Sequence, residues 1–366
     1  MTQVRAREQI LQLCRAPGDA RTLRLEVLAV LRRAVGFDAH VWLMTDPETS
    51  VGSAPLADVP CLPELPQLIR LKYLTPVNRW TAMVTPVATL HQATGGDLAR
   101  SLVWRDMLSR YQIGDVATSV HRDRFGCWAF LDLWREQTSP PFTAAEAEFL
   151  HGLAGPLATA LRSTQAAAFT TGPVGAPAAE GLVVLLLSPV LEVRSQTPQT
   201  QHYLRLLVPP DDASHAPVPA GAYNVAAQLL AAEQGIDSHP PWARVHLTGG
   251  TWLTLRAARI GQPAGPAEPA ESAATAEPPP PPAGRDVAVT IAATTPADRA
   301  ELFARAHGFT PRESELLGHL IVGGDTRDLA QQMFLSAHTV QDHLKSVFAK
   351  TGTRSRQALL SLVVGA

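Results

Sequence analysis

The chain has little cysteine, little lysine, little charge and no long apolar run, and each shortage excludes something. Its three cysteines, Cys14, Cys61 and Cys127, stand far apart with no CxxC pair. That excludes a disulfide framework or a structural zinc site, and the three read as small hydrophobes rather than nucleophiles. The most apolar run, Gly181 to Leu187, is far shorter than the roughly 20 residues needed to cross a bilayer. The start, MTQVRAREQI, has no apolar signal core. A cytoplasmic protein without a membrane partner is therefore expected. Lysine occurs only at Lys72, Lys345 and Lys350, so arginine carries nearly all the positive charge; with abundant alanine and 31 prolines this fits a high-GC bacterial genome. Charged residues make up 17% of the chain and the net charge is -2. A uniformly basic nucleic-acid coat is excluded, but a small basic reading head on a larger neutral body is not, because binding follows local charge.

Several motifs are also absent. There is no GxxxxGK[ST] phosphate loop, no GxSxG nucleophile elbow, and no HxxxH or mixed Cys/His ligand spacing among the twelve histidines. The acidic pair, phosphorylatable aspartate and later lysine of a receiver domain are missing too. The expectation is a protein that is not an enzyme and carries no cofactor or metal.

At roughly 150 residues per domain, 366 residues suggest two or three domains. The first third reads as α/β. Arg21 to Ala34 has helical apolar spacing with Gly36 behind it, Ala39 to Met44 reads as a strand, and CWAFLDLW (Cys127 to Trp134) as an aromatic strand. Thr143 and Glu146 form a capping box. The helix they open carries Leu150, Leu153, Leu157 and Leu161 on one seam, serving either the core or a dimer contact. Residues 166–180 are rich in Ala, Gly, Pro and Thr and read as a linker. In residues 181–296, two strands (Leu182 to Leu187, Leu191 to Ser195) precede two helices (Gln199 to Leu207, Tyr223 to Glu233). Three more strands follow (Arg244 to Leu247, Thr251 to Ile260, Asp286 to Ile291), the first two joined through Gly249-Gly250. The low-complexity stretch 262–284 reads as a disordered insertion between two strands of one domain, with an interdomain linker as the alternative.

Residues 300–366 carry the sharpest pattern. Thr310-Pro311-Arg312-Glu313 is a capping box with proline at the first helical position. A short helix capped by Asp325 or Thr326 and a helix capped by Ser336 then follow, separated by a tight turn, and Ser355 caps a fourth helix. The third of these buries Val340, Leu344 and Val347 and turns His338, Asp342, Lys345 and Ala349 outward, with Gln341 on one flank and Thr339 and Ser346 on the other. A helix-turn-helix reader divides its second helix in this way, one face anchored and one entering the major groove. Lys345 suits a base contact, most often guanine, and Gln341 an adenine. Lys350, Arg354 and Arg356 suit phosphates. An ordinary helical bundle with a solvated face would share this periodicity.

The run from Phe309 to Leu359 resembles the LuxR-type helix-turn-helix over about 55 residues. The matching positions are Thr310, Arg312, Glu313, Leu316, Gly323, Ala330, Ser336, Thr339, Val340, His343, Leu344, Lys350, Gly352, Ser355 and Arg356. The resemblance implies a phosphate contact for Thr339, a base contact for Lys345 and a phosphate contact for Lys350. Gln341, where the family often has Lys, and the acidic Asp342 depart from the pattern and imply weaker, more salt-limited binding.

By layout, residues 1–165 resemble a GAF domain and residues 181–296 a PAS-like fold. The expected architecture is thus multidomain, with an α/β GAF-like sensor, an α+β PAS-like middle domain and an all-α four-helix reader. Five of the seven tryptophans, Trp42, Trp80, Trp104, Trp128 and Trp134, lie in the first module. They line either a pocket for a small apolar effector or simply the core; Trp128 and Trp134, an even number apart, should share a strand face. The resemblance implies a transcription regulator that binds double-stranded DNA at two half-sites as a homodimer, with RNA polymerase as a further partner. The alternative is a protein-interaction regulator whose sensor binds a partner protein and whose reader seldom touches DNA. Gln331 to Ala366 holds four basic residues against Asp342 alone, a local +3 that leaves -5 on the rest. With so few phosphate contacts per chain, tight binding needs two readers together.

Overall fold

The computed structural model describes residues 1–16, 18–169, 182–207, 217, 219–247, 251–260 and 285–365. The first module runs α1 (Gln3–Leu13), α2 (Ala20–Ala34), β1 (Ala39–Thr45), β2 (Gly52–Asp58), α3 (Leu65–Leu74), β3 (Val87–Thr89), α4 (Leu90–Thr94), α5 (Leu102–Asp106), β4 (Ile113–Asp123), β5 (Gly126–Glu136) and α6 (Ala144–Ala167). Its strands form one antiparallel sheet in the order β2-β1-β5-β4-β3. One face packs on α1, α2 and α6, the other on α3 and its neighbours. The capping box at Thr143 and Glu146 opens α6. Leu150, Leu153, Leu157 and Leu161 are 0–3% exposed against the sheet, so this seam is core, and the dimer-contact reading of it is corrected.

The second module runs β6 (Val183–Leu187), β7 (Val193–Gln196), α7 (Thr200–Leu207), α8 (Ala220–Glu233), β8 (Trp242–His246), β9 (Trp252–Arg259) and β10 (Val287–Ala293). Its sheet order, β7-β6-β10-β9-β8, repeats the connectivity of the first. β9 pairs directly with β10, Arg259 opposite Val287, so the chain leaves and re-enters the same sheet around 261–284. The insertion read at 262–284, the Gly249-Gly250 turn and most of the linker at 166–180 lie outside the described residues.

The helix α8 is apolar on nearly every side, from Ala220 to Ala231, and such a helix must be enclosed. It lies between the second sheet and the first module's α3 and β2. Gly52 on β2 shows how close the approach is, since a Cβ there would sit 2.8 Å from Asn224 Oδ1. The two modules are further joined by a buried ion pair. Arg244 on β8 donates to both oxygens of Asp46 (Nε 2.7 Å, Nη2 3.0 Å) and to Glu48 at 2.9 Å, while Thr49 donates to the Trp242 carbonyl.

The last module is helical: α9 (Pro296–Ala306), α10 (Pro311–Val322), α11 (Thr326–Gln332), α12 (Ala337–Thr351) and α13 (Arg356–Val364). A division at residue 300 cuts α9. That helix is announced by Thr295-Pro296-Ala297-Asp298, a cap of the kind seen at Thr310, with Thr295 accepting from the Asp298 amide. The helix touches everything else. Arg162 of α6 donates to the Ala306 carbonyl at 3.2 Å, Arg244 to the Asp298 carbonyl at 2.8 Å, and Arg299 to the Val363 carbonyl at the end of α13. Phe169, just past α6, stacks on Trp252 of β9 and meets Phe303 of α9 edge-on. No helix among the described residues is long and apolar enough to cross a membrane.

Candidate nucleic-acid interface

In the last module each helix start is fixed by its own sequence. Thr310 and Glu313 cap α10 reciprocally, Asp325 and Asp328 do the same for α11, Ser336 accepts from the Thr339 amide to start α12, and Ser355 accepts from the Ala358 amide to start α13. Between α11 and α12 the chain turns at Phe334, whose φ is +54°, and the Leu335 amide donates back to the Ala330 carbonyl at 2.9 Å. Val340, Leu344 and Val347 seat α12 on α10 and α11. The opposite face is bare, with side chains of His338 81%, Lys345 73% and Asp342 54% exposed. Gln341 shares that exposure.

The Asp342 carboxylate stands between the Lys345 ammonium at 3.2 Å and His338 Nε2 at 3.5 Å. Pairs this exposed contribute little to stability. The Lys345 ammonium is thus already turned toward an acid on its own helix. Arg354 is exposed and makes no ion pair among the described residues.

Three expected DNA contacts have partners inside the protein. Lys350 Nζ lies 2.5 Å from Glu313 Oε2 and donates to the Gly308 carbonyl at 3.0 Å. Ser346 Oγ donates to Glu313 Oε1 at 2.6 Å. Arg356 donates to Thr326 Oγ1 at 2.7 Å and to the Gly324 carbonyl. Burial works against the charged form of Glu313, but hydrogen bonds from Lys350, Ser346 and the Thr310 amide outweigh it and hold its pKa at about 2. One carboxylate thus caps α10 and clamps the C-terminal half of α12. Thr339 shares a hydroxyl contact of 2.9 Å with Ser336. Phe334 escapes the sequence reading; its ring is 94% exposed beside the N-terminus of α12. The signal available was an aromatic residue in a tight turn with no apolar partner in register.

The five tryptophans of the first module do not converge. Trp42 and Trp128 lie on the face toward α1, α2 and α6, whereas Trp80 and Trp134 lie on the opposite face and Trp104 is partly exposed, its indole donating to the Ile113 carbonyl at 2.8 Å. A single pocket lined by all five is therefore corrected. So is the shared face of Trp128 and Trp134. Between the pairs His121↔Ala129 and Arg122↔Cys127 the register slips by one, so Trp128 is the extra residue of a bulge and turns to the other side. The face with Trp80 holds a buried charge cluster. Asp132 pairs with Lys72 at 2.8 Å and accepts from Trp80 Nε1 at 3.1 Å and Thr118 Oγ1 at 2.8 Å, with Trp80 stacked on Phe130. Cys61 and Cys127 are buried and unpaired, and burial pushes the Cys61 thiol up to about 11. Among the described residues no cluster of His, Cys, Asp and Glu is placed to hold a metal ion.

Comparison with known families agrees with this geometry. The family described as bacterial regulatory proteins, luxR family, matches residues 307–363, which span α10 to α13. The chain therefore carries a luxR-family helix-turn-helix domain at this end. No curated protein matches the chain.

Proposed function

We propose that this protein is a sequence-specific transcription regulator in which α12 reads the major groove of double-stranded DNA and the two front modules form its sensory half. The observation that carries the proposal is the coincidence of the luxR-family match with the one face of α12 left free of intramolecular packing. Lys345 and Gln341 are the base-reading side chains and Asp342 tempers the first of them. His338, Thr339 and Arg354 approach phosphates, and the exposed Phe334 ring meets sugar or a thymine methyl. Ser346 and Lys350 act first by positioning α12, and Arg356 by tying α13 to the start of α11; each touches phosphate only where it exchanges a present partner for it.

Two copies bind adjacent half-sites, which the small charge of one reader favours. The dimer surface is the outward side of α13, where Leu360 is partly and Val364 substantially exposed. The shared strand order of the two front sheets supports the GAF-like and PAS-like reading, with a small-molecule effector as input and RNA polymerase as the onward partner. Selection of fragments bound from random DNA tests the proposal: an enriched, two-fold-related motif is expected. Retention without any motif would instead favour a regulator working through protein partners.

A further inference from the structure

We infer that the junction between the first module and the reader is a binding site for a small acidic amphiphile, a molecule with an apolar body and one carboxylate-like head. The inference deepens the reading above by giving the sensory half a ligand class and a place to receive it. Its binding half stands independently of DNA recognition, and only its regulatory half rests on that reading.

A cleft of about 710 Å³ runs between the tip of the β4–β5 hairpin and the helices α9 and α10. That is within the usual range for small-molecule sites, which favour domain interfaces. Its floor is apolar, made by Ala300 and Ala304 of α9, Phe309, and Leu317 of α10. Small residues on both helices leave the space open, and a Cβ built at Gly318 would meet no heavy atom within 4 Å. The rim is cationic and uneven. The charge of Arg305 is compensated by Glu301 at 3.0 Å, and it also donates to the Phe125 carbonyl at 3.2 Å, though its Nε finds no partner among the described residues. Arg124 is exposed, lies over the Phe125 ring at 4.6 Å, and has no acidic partner among the described residues. An apolar floor beside one uncompensated guanidinium selects an apolar molecule with an anionic end, since arginine matches a carboxylate in a two-pronged geometry.

Position gives the site its regulatory meaning. The hairpin tip bears directly on the α9–α10 turn: Gly308, at φ +67°, would bring a Cβ to 3.2 Å from the Phe125 ring and the Arg162 guanidinium. A molecule in the cleft touches the sensor through Phe125 and Arg124 and the reader through Leu317 and Gly318. It binds the docked arrangement and not the separated one, and so shifts the population toward docking by its differential affinity.

Calorimetric titration of the full chain with decanoate, and with decanol as the neutral control, tests this. The expected result is saturable binding of one decanoate per chain, with decanol at least ten-fold weaker. Arg124→Ala should weaken decanoate at least ten-fold and leave decanol unchanged. Gly318→Leu, which fills the cleft while improving helix propensity, should abolish binding with the thermal transition intact. Decanoate should also slow hydrogen exchange at the hairpin tip and in α10. No saturable binding by the parent chain, or binding that survives Gly318→Leu, overturns the site; equal binding of decanol overturns the acidic class. A DNA motif recovered from random fragments without decanoate alongside a negative titration would sink this inference alone.

Discussion

Replacing Lys350 with methionine separates two roles that its position in the family pattern merges. If Lys350 only contacts phosphate, the variant loses DNA affinity and the free reader is unchanged. The geometry argues for more. The Glu313 side chain is 4% exposed and Lys350 30%, with 2.5 Å between charged atoms. Removing one partner of a buried pair costs roughly 3–5 kcal/mol because the other charge is left uncompensated. Here the lysine is partly solvated, and Ser346 and the Thr310 amide still donate to the carboxylate, so the cost falls to about 2–3 kcal/mol. At 1.4 kcal/mol per factor of ten, amides of α10 and α12 should exchange about 30- to 150-fold faster. The pH dependence has a definite sign. Glu313 titrates at about 2 when folded against 4.5 ordinarily, so its contribution is complete above pH 4.5 and is lost as pH falls toward 2. In the variant the folded carboxyl moves back toward its ordinary value, so the loss starts at the same pH but is smaller and is complete sooner. Hydrogen exchange read by mass spectrometry localises the effect to the reader, and Lys345→Ala, on the exposed face, is the control that leaves exchange unchanged. Parent-like exchange in the Lys350→Met reader would refute the clamp and return Lys350 to a plain phosphate contact.

Other outcomes follow from the same geometry. Lys345→Ala should flatten base preference in fragment selection by about 1–3 kcal/mol at one position, whereas Asp342→Asn should tighten binding to all sequences by releasing Lys345. Arg244→Met leaves the wholly buried Asp46 without its cation and should lower stability by roughly 3–5 kcal/mol, read as a loss of thermal midpoint in the front modules. Burial holds His121, His246 and His307 at about 4 instead of 6.5. These neutral rings favour the folded state above pH 6.5, and that contribution is lost as pH falls to about 4; a denaturation series whose stability stays flat across this interval would contradict their burial.

What was legible in the sequence was local. Caps announce themselves within four residues, which is why Thr143, Thr310, Ser336 and Ser355 could be read directly and why α9, though passed over, carried the same signature at Thr295. The face of α12 was legible because helical periodicity fixes it. What failed depended on distant partners. The even spacing of Trp128 and Trp134 predicts one face only if the ladder is unbroken, and the bulge that breaks it is visible only in the pairing of β5 with β4. The inward ties of Lys350 and Ser346 need Glu313, which lies more than 30 residues away on another helix. The common strand order of the two sheets left no repeat in the sequence, because a half-buried sheet constrains polarity and volume and not residue identity.

The helix that the sequence reading passed over is also the one that ties both front modules to the reader. Arg244 ties both front modules together and reaches the Asp298 carbonyl in the first turn of α9. Phe169 carries the end of the first module onto Trp252 of the second and Phe303 of α9, with the Arg299 guanidinium 5.0 Å above its ring. Arg299 in turn holds the last carbonyls of α13, where a cation is favoured by the helix dipole. Front modules locked by a buried ion pair cannot easily shift against each other, so α9 with the reader is the body left to move. A shift of α9 would drag the end of α13, the proposed dimer surface, and would reach α12 at its C-terminal end, where Lys350 holds the Gly308 carbonyl, rather than at the side chains proposed to read bases. Input is then expected to alter how two readers are spaced rather than what each one reads. Ligand should change affinity for paired half-sites while leaving that for a single half-site untouched, and a ligand effect of equal size on a single half-site would refute this order of events.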